Sequence, residues 1–197
     1  MTVLSRVRKV VSVFITDPIV SILAKTPLTP NMLTCLSFLL AAVAAVLIAY
    51  EYLLAAGFVV LFGSFLDMLD GALARRTNRS TRFGAVLDST LDRMSEGVIF
   101  ISILYLYASE GSVSGVLLVG VVMLSSMLVS YIRARAEAAG IVCTVGLFTR
   151  PERVIVLALG LFLNQLFIAL AVIAAFSLFT AGHRLFYVWR RAKDRQY

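Results

Sequence analysis

A succession of apolar runs, each about as long as a lipid bilayer is thick, constrains the fold of this chain most. The runs cover residues 31–50, 53–74, 84–108, 113–132, 151–163 with its flanks, and 166–188. A helix needs about 20 apolar residues to cross roughly 30 Å of hydrocarbon. Because 60% of the 197 residues are hydrophobic and 15% are charged, a soluble domain would lack polar residues to cover its surface. The sequence predicts an all-α integral membrane protein with six transmembrane helices, forming a single domain over residues 1–197 with spans from about 31 to 190.

The placement of the basic residues predicts the orientation in the membrane. All 18 Lys and Arg residues lie in the N-terminal segment, in 75–93, in 133–153 and in the C-terminal segment from 184 onwards. The connections on the opposite side hold none, which is the positive-inside pattern of a multi-pass cell-membrane protein with both termini in the cytoplasm. Ahead of the first span, apolar residues alternate with charged ones, and this pattern predicts an amphipathic helix over about 4–25 on the cytoplasmic interface.

Four aspartates lie beside or within these apolar runs. Asp67 and Asp70 are three residues apart, and Asp88 and Asp92 are four apart. On a helix either spacing puts both carboxylates on one face. A carboxylate at membrane depth is costly unless its charge is compensated, so the four together predict a bound cation. Ion pairs with Arg75, Arg76, Arg82 and Arg93 at the membrane edge are the alternative.

The ligand type indicates which cation and which substrate belong here. Carboxylate oxygens without His or Cys suit Mg²⁺, Mn²⁺ or Ca²⁺, and Mg²⁺ is usually bound by a few carboxylates together with substrate phosphate. Gly71 and Gly84 lie near the aspartates, and small residues there predict that the two helices approach closely. Arg75 lies one turn away and can bind a phosphate bidentately. The sequence predicts a metal-dependent reaction on a phosphate-containing substrate.

The motif around the aspartates resembles a known signature. The stretch from Asp67 to Arg75 is DxxDGxxAR, and after eight residues the stretch from Gly84 to Asp92 is GxxxDxxxD. This resembles, at every position, the signature of the CDP-alcohol phosphotransferase family. The resemblance implies a six-span membrane enzyme that transfers a phosphatidyl-type group from a CDP-linked lipid such as CDP-diacylglycerol to an alcohol. CMP would be released at the cytoplasmic face.

The same resemblance assigns roles to the aspartates. It implies that Asp67, Asp70 and Asp88 ligate the metal, and that Asp92 is the catalytic general base and can also contact a second metal. Mg²⁺ is the expected cofactor, with Mn²⁺ as the alternative.

The family pattern also suggests where the donor binds. The diphosphate and cytidine would lie near Gly71, Arg75 and Thr81, with the segment from Pro30 to Leu33 bordering the same pocket. Independently, Pro30 and Asn31 open a helix, where unpaired backbone N–H groups favour an anion. The predicted CDP-lipid-binding residues are Pro30, Asn31, Met32, Leu33, Gly71, Arg75 and Thr81.

A second stretch, SYIRARAE from Ser130 to Glu137, bears on the acceptor. Arg133 and Arg135 lie at the cytoplasmic end of the fourth span, and Arg153 and Arg184 lie on the same side. Such a cluster can bind an acceptor that itself carries a phosphate. The stretch is similar to the SYxKARAE-type segment of family members that use inositol phosphate, with Arg133 where lysine is common. The predicted acceptor is inositol phosphate, unless these arginines merely mark the inner membrane boundary.

Several alternatives stay open at this point. Glycerol 3-phosphate, the acceptor in phosphatidylglycerophosphate synthesis, is also a phosphomonoester, and a basic pocket alone does not separate the two. A divalent-cation transporter would use the aspartates for permeation, but it predicts polar residues along a path to the far side, where the spans offer little beyond serines. The donor can be an ester-linked lipid or an ether-linked analogue.

Two expectations concern partners. The family resemblance and small residues in the last span predict a homodimer. Nucleic acid is not an expected partner, because the basic residues cluster at membrane ends, where they meet lipid headgroups or phosphate. The small residues are Ala169, Ala171, Ala174 and Ala175.

Overall fold

The computed structural model of the chain describes residues 16–193. Those residues form seven helices and no strand. In chain order the helices are α1 (Asp17–Leu23), α2 (Pro30–Ala49), α3 (Leu53–Arg76), α4 (Arg82–Ser109), α5 (Val113–Ala138), α6 (Arg150–Phe162) and α7 (Leu166–Lys193). The predicted all-α class is confirmed for this part of the chain.

Threonine caps begin the three helices whose first turns matter for the site. Thr29, Thr81 and Thr149 precede α2, α4 and α6. The hydroxyl of Thr81 accepts a hydrogen bond from the Gly84 N–H at 2.9 Å, and the Thr149 N–H donates to the Glu152 carboxylate at 2.7 Å. These side chains satisfy backbone groups that a helix end leaves unpaired, so they fix where each helix starts.

The helices differ in their ability to cross a bilayer. By length and composition, α2, α3, α5 and α7 are long and apolar enough to span a membrane. Helix α4 has 28 residues but carries charged side chains in its first half. Helix α6 has 13 residues, and at 1.5 Å per residue it is about 20 Å long, shorter than the hydrocarbon core. Four spans are therefore supported by length and composition, and the count of six stays a prediction.

Helix α2 is the common neighbour of the two helices that carry the aspartates. It packs against both α3 and α4, while α5 packs against α4 and α7, and α6 packs against α3 and α7. A Cβ on Gly63 of α3 would lie 3.3 Å from the Leu40 Cβ of α2, so these two helices approach closely there. The main buried cluster lies between the helices; among its members are Ile48, Phe100, Ile103, Val119, Val122, Leu161, Leu170 and Ile173.

Helix α1 lies within the range predicted for the interfacial helix. Its Val20 is buried against Leu33, Leu69 and Leu73, and Ile22 is exposed. This places α1 against the ends of α2 and α3 that carry the predicted site. Residues 4–15 of the predicted interfacial helix lie outside the described residues.

Candidate active site

The aspartates come together from two helices. Asp67 and Asp70 lie in the C-terminal part of α3, and Asp88 and Asp92 lie in the first turns of α4. One carboxylate oxygen from each of Asp67, Asp70 and Asp88 lies within 4.8 Å of the other two. Asp70 is 5% exposed, and the other three are half-buried. The structure thus groups three of the four predicted metal ligands, with the fourth, Asp92, one turn further along α4.

The two glycines do not act as the sequence predicted. A Cβ on Gly84 would lie 2.9 Å from the Thr81 hydroxyl and 3.1 Å from the Asn31 side-chain oxygen, whereas one on Gly71 would meet Arg75 Nη1 at 3.5 Å. Neither position contacts the other aspartate helix. The predicted close approach of α3 and α4 at these glycines is therefore wrong. Helix α2 packs against both α3 and α4. The carboxylates of these two helices come close to one another through the length of their side chains.

Helix α2 contributes a residue that was not among the predicted site residues. The Thr34 hydroxyl is buried and lies 2.5 Å from Asp70 Oδ2, to which it donates a hydrogen bond. A hydrogen bond of this kind orients a carboxylate that is a candidate metal ligand. The signal in the sequence is slight: Thr34 is a polar residue near the start of an apolar run.

Arg150 is a second residue that was not among the predicted site residues. It is the first residue of α6, and its Nη1 donates to Asp67 and lies 2.5 Å from Asp92 Oδ1. The side chain is 18% exposed. One guanidinium therefore joins α3, α4 and α6 and offsets part of the repulsion among the aspartates. In the sequence, the feature that indicated Arg150 was its place in a basic segment predicted to lie on the cytoplasmic side of the membrane.

The ion-pair alternative named four arginines, and among the described residues Arg93 is the one of them that pairs with an aspartate. Its Nη2 lies 3.4 Å from Asp92 Oδ2, and its Nη1 donates to the Ser130 hydroxyl. The ion-pair alternative therefore explains one aspartate contact and leaves Asp70 and Asp88 without an arginine partner among the described ion pairs. The other three alternative partners, Arg75, Arg76 and Arg82, are exposed.

Arg153, predicted to bind the acceptor phosphate, is buried against a carboxylate. It is 3% exposed, and its Nη2 and Nε donate to Glu96 Oε1 at 2.6 and 3.2 Å. Its Nη1 is buried without a hydrogen-bond partner. Glu96 was not among the predicted site residues, and it lies one turn beyond Asp92 on α4.

The remaining predicted acceptor arginines lie in different surroundings. Arg184 is 4% exposed and donates from Nε to the Val145 carbonyl at 2.8 Å and from Nη1 to the Val129 carbonyl at 2.6 Å. Arg133 is exposed and pairs with Glu137 at 2.9 Å. Val129 precedes Arg133 by one turn on α5, so the Arg184 guanidinium lies near the end of α5 that carries Arg133 and Arg135. Arg135 is exposed.

The predicted donor-binding residues divide into two groups. The side chains of Asn31 and Thr81 both lie beside Gly84, so the first turns of α2 and α4 adjoin. Arg75 is exposed on the last turn of α3, next to Gly71.

The segment from Pro30 to Leu33 has one face buried in the protein and one face exposed. Leu33 is buried against Val20 and Leu69 in the small core under α1, while Met32 is exposed. Pro30 begins α2 and is half-buried. Leu33 therefore packs in the protein interior, and Met32 is open to contact from outside the protein.

Over residues 16–193, these features define an all-helical fold with membrane-length helices and a carboxylate cluster suited to a hard cation. The model of the CDP-alcohol phosphatidyltransferase family matches residues 27–182, which include all four aspartates and every arginine discussed above except Arg184. The chain belongs to this family, and the predicted family is confirmed.

Two similar sequences are inositol phosphate enzymes by name. The archaetidylinositol phosphate synthase of Methanothermobacter thermautotrophicus is 39% identical over 198 residues, covering 98% of this chain and 97% of the relative. The phosphatidylinositol phosphate synthase of Mycobacteroides abscessus is 37% identical over 180 residues, covering 87% of this chain and 82% of the relative.

Crystal structures of the Mycobacterium tuberculosis phosphatidylinositol phosphate synthase are similar to this fold. The form with CDP-DAG bound superposes with a TM-score of 0.80 and 36% identity, covering 89% of this chain and 94% of that chain. The form in complex with manganese and citrate has a TM-score of 0.79 and 35% identity, covering 89% of both chains.

Proposed function

We propose that this protein transfers a phosphatidyl-type group from a CDP-linked lipid to inositol phosphate and releases CMP. The observation that carries the proposal is the carboxylate cluster of Asp67, Asp70 and Asp88, which Arg150 connects to the first turn of α6, where the buried Arg153 also lies. The relatives that act on inositol phosphate by name, and the related structure with CDP-DAG bound, support the choice of donor and acceptor.

The donor set suits a divalent metal. Three carboxylates with oxygens within 4.8 Å of one another, one of them buried and held by Thr34, are the ligands that Mg²⁺ and Mn²⁺ prefer. Asp67, Asp70 and Asp88 would hold the ion, and a related structure contains manganese. Such an ion would neutralise charge on the donor diphosphate and on the departing CMP.

Asp92 is the proposed general base. It accepts the proton of an acceptor hydroxyl while that oxygen forms a bond to the lipid-side phosphorus and the phosphorus–oxygen bond to CMP breaks. Arg150 and Arg93 contact its two carboxylate oxygens at 2.5 and 3.4 Å and so fix its direction. A base must be held within hydrogen-bond reach of the proton that it removes. The donor would lie beside Asn31, Thr81 and Gly84, where the first turns of α2 and α4 adjoin.

The acceptor phosphate is assigned to Arg133, Arg135, Arg153 and Arg184. Arg153 has a buried Nη1 without a partner, and an anion would satisfy it. Arg184 is oriented by two neutral carbonyl groups, which leave its charge available. Two buried, oriented guanidinium groups favour an acceptor that carries a phosphate over one that does not.

Release of CMP by the detergent-purified protein tests this function. The assay contains Mg²⁺ and CDP-diacylglycerol and compares inositol phosphate, glycerol 3-phosphate, free inositol and serine. Release with inositol phosphate alone is the expected result. Release with glycerol 3-phosphate alone would keep the aspartate assignment and overturn the acceptor assignment. If no acceptor supports release, the assay is repeated with an ether-linked CDP-lipid; failure there as well would contradict the proposal and favour the transporter alternative.

The proposed topology has six spans, with both termini and the active site at the cytoplasmic face of the cell membrane. Arg75 and Arg76 end α3 and Arg82 begins α4, the two helices that carry the aspartates, while Arg135 lies in the last turn of α5 and Arg150 begins α6. This placement supports one charged side. Labelling of single cysteines by a membrane-impermeant reagent tests the topology. A cysteine at Arg79 should react only after the membrane is opened, whereas one at Glu110 should react in intact cells.

The homodimer is proposed from the family resemblance and from α7. Ala169 and Ala174 are buried within the protomer, but Ala171 and Ala175 are exposed, four residues apart on one face. Small residues at this spacing let membrane helices approach closely. Replacing both exposed alanines with leucine should shift the detergent-corrected mass from dimer to monomer. An unchanged mass would remove α7 from the proposed interface.

A further inference from the structure

We infer that Glu96 is a positioning residue that orients Arg153 toward the acceptor phosphate and holds Arg93 beside Asp92. The inference rests on the proposed function, because it assigns Glu96 a part in acceptor binding. Glu96 would thus connect the acceptor site to the proposed base through two arginines.

The position of Glu96 follows from the period of the helix. Asp88, Asp92 and Glu96 are spaced four residues apart on α4, so they share one face. Asp88 is one of the three grouped carboxylates, Asp92 is the proposed base, and Glu96 lies one turn further from the start of the helix. Its side chain is 13% exposed. A carboxylate at this depth needs compensation, and arginines provide it.

Glu96 divides its two oxygens between two arginines. Oε1 accepts the hydrogen bonds from Arg153 Nη2 and Nε, and Oε2 lies 3.6 Å from Arg93 Nη1. Arg93 in turn contacts Asp92 through Nη2 and Ser130 through Nη1. Without Glu96, Arg153 would lose its carboxylate partner among the described ion pairs, and Arg93 would keep only its contacts with Asp92 and Ser130.

The orientation imposed on Arg153 leaves one specific group for a ligand. Glu96 occupies the edge of the guanidinium formed by Nε and Nη2, and Nη1 is buried without a partner. Within the part of the chain that the structure describes, no other carboxylate pairs with Arg153. A buried donor without a partner is costly, and a phosphate oxygen would satisfy it.

Two substitutions separate the charge of Glu96 from its reach. Glu96→Asp keeps the charge but is one methylene shorter, so it should lose the hydrogen bonds to Arg153 and raise the KM for inositol phosphate about tenfold. Glu96→Gln keeps an oxygen for Arg153 but can turn an amide N–H toward Arg93, and it should mainly lower kcat. Neither variant should change the KM for CDP-diacylglycerol or the binding of Mn²⁺ measured by electron paramagnetic resonance. Glu110→Gln, at the exposed end of the same helix, is the matched control and should change none of these values.

A double-mutant comparison tests whether Glu96 acts through Arg153. In an Arg153→Lys background, Glu96→Asp should raise the acceptor KM by less than about twofold, because the contact that it breaks is already lost. Thermal melting in detergent identifies a variant that does not fold, in which case Glu96→Gln and the double mutant carry the test.

Three results would overturn the inference: an unchanged acceptor KM in folded Glu96→Asp, an equal rise in donor and acceptor KM, or a full effect in the Arg153→Lys background. Failure of the proposed function differs from all three, because the unsubstituted protein would then release no CMP with inositol phosphate.

Discussion

The aspartate cluster (Asp67, Asp70, Asp88 and Asp92) and the buried arginine pair (Arg153 and Arg184) are organised in opposite ways. The aspartates repel one another, and their described partners are Arg150, Arg93 and the Thr34 hydroxyl. Each buried arginine instead has its own protein acceptors, which are Glu96 for Arg153 and two carbonyl groups for Arg184.

This difference teaches how each region selects its ligand. A set of mutually repelling carboxylates gains stability from any added positive charge, so its selectivity comes from ligand type and geometry. The arginines are already oriented, so they discriminate by the direction of a few N–H groups. Substitutions in the aspartate cluster should therefore change chemistry and metal binding, and substitutions at the arginines should change acceptor affinity.

Asp92→Asn gives the largest expected effect. The amide cannot accept the acceptor proton, so CMP release should fall by about 10²–10⁴-fold, the range of general acid–base catalysis. Melting temperature and CDP-lipid binding should stay near those of the unsubstituted protein. Asp17→Asn, which changes an exposed carboxylate in the first turn of α1, is the control. Normal turnover by Asp92→Asn would show that Asp92 is not the base.

Asp70→Asn tests whether the aspartate cluster binds the metal. The substitution replaces a buried carboxylate ligand with a neutral amide. The affinity for Mn²⁺ should therefore fall by at least roughly 100-fold, because loss of a residue that only supports a metal ligand can already cost that much. Asp67→Asn should act in the same direction. Electron paramagnetic resonance titration measures this without turnover. The acceptor KM at saturating metal should change far less, and a dominant change in acceptor KM would contradict the division between the two regions.

Arg184→Lys tests the other region. A lysine ammonium cannot keep the bonds to the Val129 and Val145 carbonyls and also present a planar edge to a phosphate. The KM for inositol phosphate should rise about tenfold, with the KM for CDP-diacylglycerol unchanged. Arg190→Lys, exposed further along α7, should have no effect. Weaker Mn²⁺ binding by Arg184→Lys would contradict the assignment.

Thr34→Val examines the contact between α2 and the aspartate cluster. The substitution keeps the shape of the side chain and removes the hydroxyl that donates to Asp70. The affinity for Mn²⁺ should fall about tenfold, as for other partners of metal ligands. Thr34→Ser keeps the hydroxyl and is the matched control. Equal affinities in the two variants would mean that this hydrogen bond does not orient Asp70 for the metal.

The aspartate cluster was predictable from the sequence because its information is local. Spacings of three and four residues place the members of each pair on one helix face, and the predicted run 84–108 nearly coincides with α4, Arg82–Ser109. The predicted relationship between the two helices was wrong, because the packing of α2 against both of them has no local signal in either motif.

The contacts between residues far apart in the chain were not predictable by the same means. Thr34 and Asp70, Glu96 and Arg153, and Asp67 and Arg150 are 36, 57 and 83 residues apart in the chain. Such pairs depend on the angle and depth at which helices cross, and many crossing geometries suit one pattern of apolar residues. The sequence indicated that arginines lie on this side of the membrane, but it did not indicate which of them are buried.

Gly84→Ala has the smallest expected effect and tests the joint between α2 and α4. The added methyl would lie 2.9 Å from the Thr81 hydroxyl and 3.1 Å from the Asn31 side chain, so both side chains must shift. The helix itself tolerates alanine better than glycine, by about 1 kcal/mol, so the protein should fold. We expect a few-fold rise in the KM for CDP-diacylglycerol with unchanged Mn²⁺ affinity and acceptor KM, because the added methyl meets Thr81 and Asn31 and no aspartate or arginine. Gly120→Ala, where a Cβ meets nothing within 4 Å, is the control, and equal donor KM values in the two variants would remove the first turns of α2 and α4 from the donor site.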